Sequence, residues 1–211
     1  ELDENVDIEE GKYVIANVGI KLDAYMSNMI KYITDPTEEQ QLIAVRKAGD
    51  YIRLFENPSE EVKMAAVEEY GSSIRFIKNP SEEVKMRAVS NHGDAIQYIE
   101  NPSEDVKIRA VTKSSLALSF IENPSEEIQL AAINNCAFHS KGVLGYINNP
   151  SEKIKLASVT RSPLSIASII NPSEEIQMAA VKACPTSALR YINNPSEELQ
   201  LLALSIEKNS Y

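Results

Sequence analysis

The chain has no tryptophan, and among its 211 residues there are only two cysteines, two histidines and seven glycines. Each scarcity excludes something. Two histidines and two cysteines leave little from which to assemble a four-ligand structural zinc site. The glycines form no phosphate-cradling loop, and no His-Glu-x-x-His run is present. Basic residues are the minority, 21 against 31 acidic, for a net charge of -10. That balance disfavours a general grip on nucleic acid and favours solubility and basic partners. There is no 18-residue apolar run, which excludes a membrane-spanning helix, and no signal-peptide pattern opens the sequence.

What the chain does have is a period. Asn-Pro-Ser-Glu occurs seven times, and a looser copy, Asp35-Pro36-Thr37-Glu38, precedes them. The prolines are Pro36, Pro58, Pro80, Pro102, Pro124, Pro150, Pro172 and Pro195, spaced by 22, 22, 22, 22, 26, 22 and 23 residues. One such unit is too short to bury its own apolar face, so it must stack on its neighbours. The expected fold is therefore all-α, a right-handed solenoid of about eight two-helix repeats. Repeats begin near 35, 57, 79, 101, 123, 149, 171 and 194. Residues 23–211 are expected to form one repeat domain. Residues 1–22 lack the pattern and are expected to be an N-terminal cap or the tail of a preceding segment.

Residues 57–78 show how a repeat is expected to work. Asn57 reads as the helix N-cap, Pro58 as the first helical residue and Glu60 as the third, which would complete a capping box. Val62, Met64, Ala66 and Val67 recur at helical spacing and should face neighbours on both sides. Gly71, with Gly49 and Gly93 in the same slot, is expected to provide a left-handed C-cap; Pro163 and Pro185 occupy that slot later. A second element from Ser72 to Ile77, α or 3-10, should pack through Ile74, Phe76 and Ile77. A strand fits less well, since the run lacks strict alternation. Met29–Ile33 matches this second element, so the repeats are expected to open with a half-unit.

Cys136 and Cys184 each lie twelve residues after their repeat proline. Stacked repeats advance by about 10 Å, so equivalent positions two repeats apart exceed the roughly 7 Å that a disulfide spans. Free thiols are expected, in keeping with a reducing, cytoplasmic setting. Cys136-x-x-His139 lacks further nearby ligands, and no metal or cofactor is expected.

Two candidate surfaces emerge. The first is acidic. The second and third residues after each repeat proline are acidic at fifteen of sixteen positions, Lys153 being the exception. Glu82, Glu83, Glu104, Asp105, Glu126 and Glu127 form its central stretch. Helix N-termini favour such residues, and a basic partner would too. The second is a short basic column, Lys63, Lys85, Arg87, Lys107 and Arg109, suited to nucleic acid but flanked by acids. Several of these bases should pair with carboxylates three or four residues earlier, at about 0.2–0.5 kcal/mol each. The unit between Pro124 and Pro150 carries four extra residues within about 135–142, including Phe138, His139 and Lys141. They read either as a local anchor for a partner or as a longer turn. Tyr51, Tyr98, Tyr146 and Tyr191 lie on or near second elements, and read as core with an edge hydroxyl or as an aromatic binding surface.

The run Asn-Pro-Ser-Glu-Glu-Val-Lys-Met-Ala-Ala-Val, then Gly71, then a short apolar helix resembles units of the leucine-rich-repeat variant family. Those units pair an α-helix with a shorter, often 3-10, helix. Leu130-Ala131-Ala132-Ile133, Met86-Arg87-Ala88-Val89 and Ile96-Gln97-Tyr98-Ile99 are also similar to short repeats in uncharacterised bacterial and phage proteins. More distantly, the units resemble HEAT-type repeats. The resemblance covers roughly 23–211 and implies architecture, with no catalytic residue to carry over.

The functional expectation is a non-enzymatic module that binds a protein partner, with a basic surface on that partner. Alternatives are a structural spacer or scaffold, a phage-type inhibitor that mimics nucleic-acid charge, an enzyme whose catalytic domain lies outside this sequence, and nucleic-acid binding through the basic column.

Overall fold

A computed structural model of the chain describes residues 6–9, 12–15, 30–136 and 143–208. An antiparallel hairpin of β1 (Val6–Glu9) and β2 (Lys12–Ile15) precedes the repeats, with Val6 opposite Ile15. The sequence reading placed no element there. The other described residues are mainly helical, and the chain divides into two compact units, Glu1–Pro102 and Ser103–Tyr211.

The first unit contains the 3-10 helix η1 (Ile30–Tyr32), then α1 (Glu38–Lys47) with η2 (Gly49–Leu54), α2 (Glu60–Glu69) with η3 (Gly71–Phe76), and α3 (Glu82–Asn91) with η4 (Gly93–Tyr98). The second contains α4 (Glu104–Lys113) with η5 (Ser115–Phe120), α5 (Glu126–Asn134) with η6 (Leu144–Tyr146), α6 (Glu152–Arg161) with η7 (Pro163–Ser168), α7 (Glu174–Ala183) with α8 (Pro185–Leu189), and a final α9 (Glu197–Lys208). Within each unit, every α-helix packs on the next, and η2, η3, η4, η5 and η7 each pack on the α-helix before them. This is the expected all-α class, with the repeats of each unit stacked neighbour on neighbour in the manner of a right-handed solenoid. Where the half-unit is expected, the described residues Ile30–Tyr32 form η1, with Ile30 buried.

The helix start differs from the sequence expectation by two residues. Ser59, not Asn57, is the N-cap of α2; its backbone is extended (φ -63°, ψ 164°) and its hydroxyl accepts the Val62 N–H. Ser81, Ser103, Ser125 and Ser151 repeat this. Glu60 is thus the first helical residue rather than the third. The reciprocal capping box is seen at Thr37 and Gln40, where the sequence carries a glutamine at the required offset. The asparagines do something else. Asn79, Asn101, Asn123, Asn149, Asn171 and Asn194 hold φ between 47° and 54°. Asparagine tolerates this left-handed region better than other residues with a β-carbon. The proline that follows disfavours right-handed helix at the asparagine and so helps to fix the corner.

The glycine expectation is also corrected. The C-cap of α2 is Tyr70, extended at φ -146°, and Gly71 begins the 3-10 helix. Glycine is needed there for proximity. A β-carbon on Gly71 would lie 2.4 Å from the Ala88 carbonyl oxygen of the next repeat, and one on Gly49 would lie 2.3 Å from that of Ala66.

The core is a set of columns. Val45, Val62, Ala66, Val67, Val84, Ala88 and Val89 are fully buried in the first unit, over Ile52, Ile74 and Ile96 from the short helices. Val106, Ala110, Val111, Ile128, Ala132, Ile154, Val159, Ala180 and Val181 continue the theme in the second. Each residue is small enough for helices to approach closely, which suits ridge-into-groove stacking. The last helix breaks the rule. Leu204 occupies the slot held by Val45, Val67 and Val181 (each 0% exposed), yet is 63% exposed.

Candidate functional site

The acidic ladder separates into two columns with different jobs. The first faces the neighbouring repeat. Ser59 donates its hydroxyl to Glu38 one repeat back, and Ser81 does the same to Glu60. In the second unit Ser125 donates to Glu104 (3.2 Å) and Ser151 to Glu126 (3.5 Å). One serine hydroxyl therefore accepts a hydrogen bond to cap its own helix and donates one to its predecessor. Glu104 also receives Lys107 at 2.7 Å, and Glu82 lies 3.8 Å from Lys85. Lys153, the exception in the acidic pattern, pairs back onto Glu126. The Ser81 hydroxyl, with help from Lys63, holds the Glu60 carboxyl below its ordinary pKa of 4.5. Lys107 with Ser125 does so for Glu104, Lys153 with Ser151 for Glu126, and Lys155 with Ser173 for Glu152. The second column contains the exposed acids Glu83, Asp105 and Glu127, with Glu61 and Glu175 as equivalents.

The basic column is less free than its spacing implies. Lys63, Lys85 and Lys107 are partly buried, each paired with the glutamate three residues before it. Arg87 pairs with Glu68 of the preceding repeat at 3.5 Å instead of with Glu83. Arg109 is exposed on α4. Phe138, His139 and Lys141 lie outside the described residues. Cys136 is buried, Cys184 is half-buried, and both are free thiols. No helix among the described residues is long and apolar enough to cross a membrane.

The short helices hold a surface that the sequence reading gave mostly to the core. Their first and last apolar residues are buried, as Ile74 and Ile77 show, but the one between points outward. In the first unit this makes a row of Tyr32, Leu54, Phe76 and Tyr98; in the second, of Phe120, Tyr146 and Tyr191. Exposure runs from 40% at Tyr98 to 55% at Tyr32, with Phe76 half-buried. At the one rung where the slot is polar, Ser168, the nearby Ile170 is 88% exposed. The 3-10 geometry explains the row. With three residues per turn, positions i and i+3 share a face, so Ile74 and Ile77 both turn inward and Phe76 cannot. The signal was present in sequence as one large apolar residue per repeat, one place before the final isoleucine.

Shallow grooves lie between successive rungs. One of about 690 Å³ runs between Leu54 and Phe76, and others of about 760 Å³ between Arg75 and Tyr98 and between Phe120 and Tyr146. Each is floored by an isoleucine and the Asn-Pro corner. In the first unit, Arg75 organises the edge. Its guanidinium lies 4.6 Å from the Phe76 ring centroid and 5.9 Å from that of Tyr98, and it pairs with Asp50 at 2.7 Å. Lys31 covers Tyr32 at 4.9 Å.

No family model, no curated protein and no solved structure matches this chain. The likeness to leucine-rich-repeat variant and HEAT-type units therefore stands at the level of architecture, a helix paired with a shorter helix and stacked. That architecture is common among scaffold and protein-binding proteins in general.

Proposed function

We propose that this chain is a non-enzymatic repeat module that binds a protein partner along its 3-10 edge. The observation that carries this reading is the row of part-exposed large apolar side chains within each unit, Tyr32, Leu54, Phe76 and Tyr98 in the first and Phe120, Tyr146 and Tyr191 in the second, with grooves between rungs. Isolated surface apolars need no explanation, but a row at fixed spacing within a unit supports an interaction surface. Aromatic residues also dominate the energetics of protein interfaces.

A second reading is kept for the exposed acidic column of Glu61, Glu83, Asp105, Glu127 and Glu175, which suits a basic surface on a partner or the mimicry of nucleic-acid charge. The first column supports that reading less, because its carboxylates are already engaged by serine and lysine. A structural spacer is the remaining alternative.

The discriminating experiment is affinity capture from nuclease-treated lysate of the source organism, with three baits. These are the native chain, the aromatic variant Tyr98→Ser/Phe120→Ser/Tyr146→Ser, and the acidic variant Glu83→Gln/Asp105→Asn/Glu127→Gln. A stoichiometric protein lost only from the aromatic variant supports the edge model. Loss only from the acidic variant moves the interface to the acidic column, and no partner with any bait leaves the spacer.

A further inference from the structure

The grooves described in the two units are of similar size but differ in charge. In the first unit, the groove between Leu54 and Phe76 is lined by Arg53, Lys63 and Lys78 against a single acid, Glu56. The next, beside Tyr98 and floored by Ile74 and Ile77, is lined by Arg75, Lys78 and Lys85 against Glu100. In the second unit, the groove between Phe120 and Tyr146 has no cation in its lining; Ser119, Gln129 and Asn148 stand there beside Glu122. The fold is thus built equally well without the bases. Gln129 shows how, turning its amide onto the Pro124 carbonyl at 2.9 Å, whereas Lys63 bonds Glu60.

These cations are concentrated in a chain whose net charge is -10. Lys63, Lys85 and Arg75 each have a carboxylate partner, but Arg53 and Lys78 have none among the described residues. Arg53 lies 6.0 Å from the Phe76 ring centroid, and Lys78 lines both grooves. Two unneutralised cations therefore flank an apolar rung.

We infer that the edge of the first unit, Leu54, Phe76 and Tyr98 with Arg53, Arg75 and Lys78, takes an extended protein segment bearing carboxylates next to apolar side chains. This rests on the protein-binding reading above and names the chemistry of its partner. Arg53 and Lys78 receive the carboxylates, and the grooves between rungs receive the apolar side chains. Stacked helices repeat every 8–10 Å or so, and an extended chain advances about 3.3 Å per residue. One rung thus meets roughly every third residue of the segment. That register separates a peptide from a single-stranded nucleic acid. A peptide places its carboxylates beside Arg53 and Lys78 and neutral groups beside Glu56 and Glu100. A phosphate backbone carries a charge at every residue and is repelled by those acids.

The test is selection of a random 12-residue phage-displayed peptide library on the full chain, in parallel with selection on Arg53→Glu/Lys78→Glu. Both substitutions are on exposed side chains, and circular dichroism checks that the variant is folded. Native-chain winners are expected to be rich in Asp or Glu next to aromatic or aliphatic residues. A synthesised winner is expected to bind the charge-reversed variant roughly tenfold more weakly or worse, and to weaken with salt. Winners without acidic residues, unaffected by the reversal but lost in Phe120→Ser/Tyr146→Ser, would overturn this inference and leave the protein-binding reading standing. Binding of a fluorescent dT12 oligonucleotide with the same dependence on Arg53 and Lys78, without peptide enrichment, would overturn both. Enrichment of nothing, with no oligonucleotide binding, would also overturn the inference.

Discussion

The Ser81 hydroxyl donates to the Glu60 carboxylate of the preceding repeat while accepting the Val84 N–H of its own helix. One side chain thus caps a helix and joins it to its neighbour. Ser81→Ala is expected to cost about 1 kcal/mol, the usual loss for a serine cap, with any excess reporting the bond to Glu60. Urea denaturation of Ser81→Ala, Glu60→Gln and the double variant separates the two parts. Coupling appears as non-additivity between them.

The asparagine before the proline is expected to respond to backbone conformation, not to capping. Asn79 sits at φ 47°. Asn79→Gly should be close to neutral, and Asn79→Ala should cost roughly 1–2 kcal/mol from left-handed strain. An N-cap role would make both substitutions lose the same side-chain bond. Thermal denaturation of the pair decides between them.

Acid should loosen the repeats. Glu60, Glu104, Glu126 and Glu152 all have pKa values held below 4.5 in the folded chain. A depressed carboxylate binds fewer protons folded than unfolded, so its contribution is present above the unfolded value and is lost as pH falls through the folded one. Tm is expected to hold from neutral pH down to about 4.5 and to fall below it. Glu60→Gln/Glu104→Gln should flatten that decline, which calorimetry across pH 3–6 would show.

Two glycines offer a paired control. Gly71→Ala drives a β-carbon to 2.4 Å from the Ala88 carbonyl, whereas a β-carbon on Gly145 meets nothing within 4 Å. The first is expected to destabilise by roughly 1–3 kcal/mol, as overpacking does. The second should be neutral or slightly stabilising, since it restricts the unfolded chain.

Burial in this architecture depends on having a next repeat. Val181→Ala removes a fully buried side chain and is expected to cost on the order of 2 kcal/mol. Leu204→Ala, in the equivalent slot of the last helix but 63% exposed, should change stability by no more than about 0.5 kcal/mol.

Much of the fold was legible because the period repeats the same physics. Val62, Ala66 and Val67 announce a helix buried on two sides, and Pro58 announces its approach. The two-residue shift in the cap was not legible, since Asn57 and Ser59 are equally good caps by type. The Ser59 hydroxyl that accepts the Val62 N–H assigns the role to serine, and the left-handed turn at the later asparagines agrees. Gly71 misled for a related reason. A glycine after a helix looks like a C-cap, and the close carbonyl belongs to a helix 17 residues further on. The acidic ladder was legible as a count but not as two columns, because what distinguishes Glu60 from Glu61 is a serine one repeat away. Phe76 and Tyr98 read as core because 3-10 and α periodicities differ little over six residues. The cations at Arg53, Arg75 and Lys78 were passed over since they share no column with Lys63 and Lys85 until the chain is folded.

The Asn-Pro corner also bears on how the protein ages. An exposed asparagine ordinarily loses ammonia when the next backbone nitrogen gives up its proton and attacks the side-chain carbonyl, closing a succinimide. Asn57, Asn79, Asn101, Asn123, Asn149, Asn171 and Asn194 are all exposed. Every one of them is followed by proline, whose nitrogen has no proton to give. The asparagine before each of these prolines is thereby blocked from that route of decay.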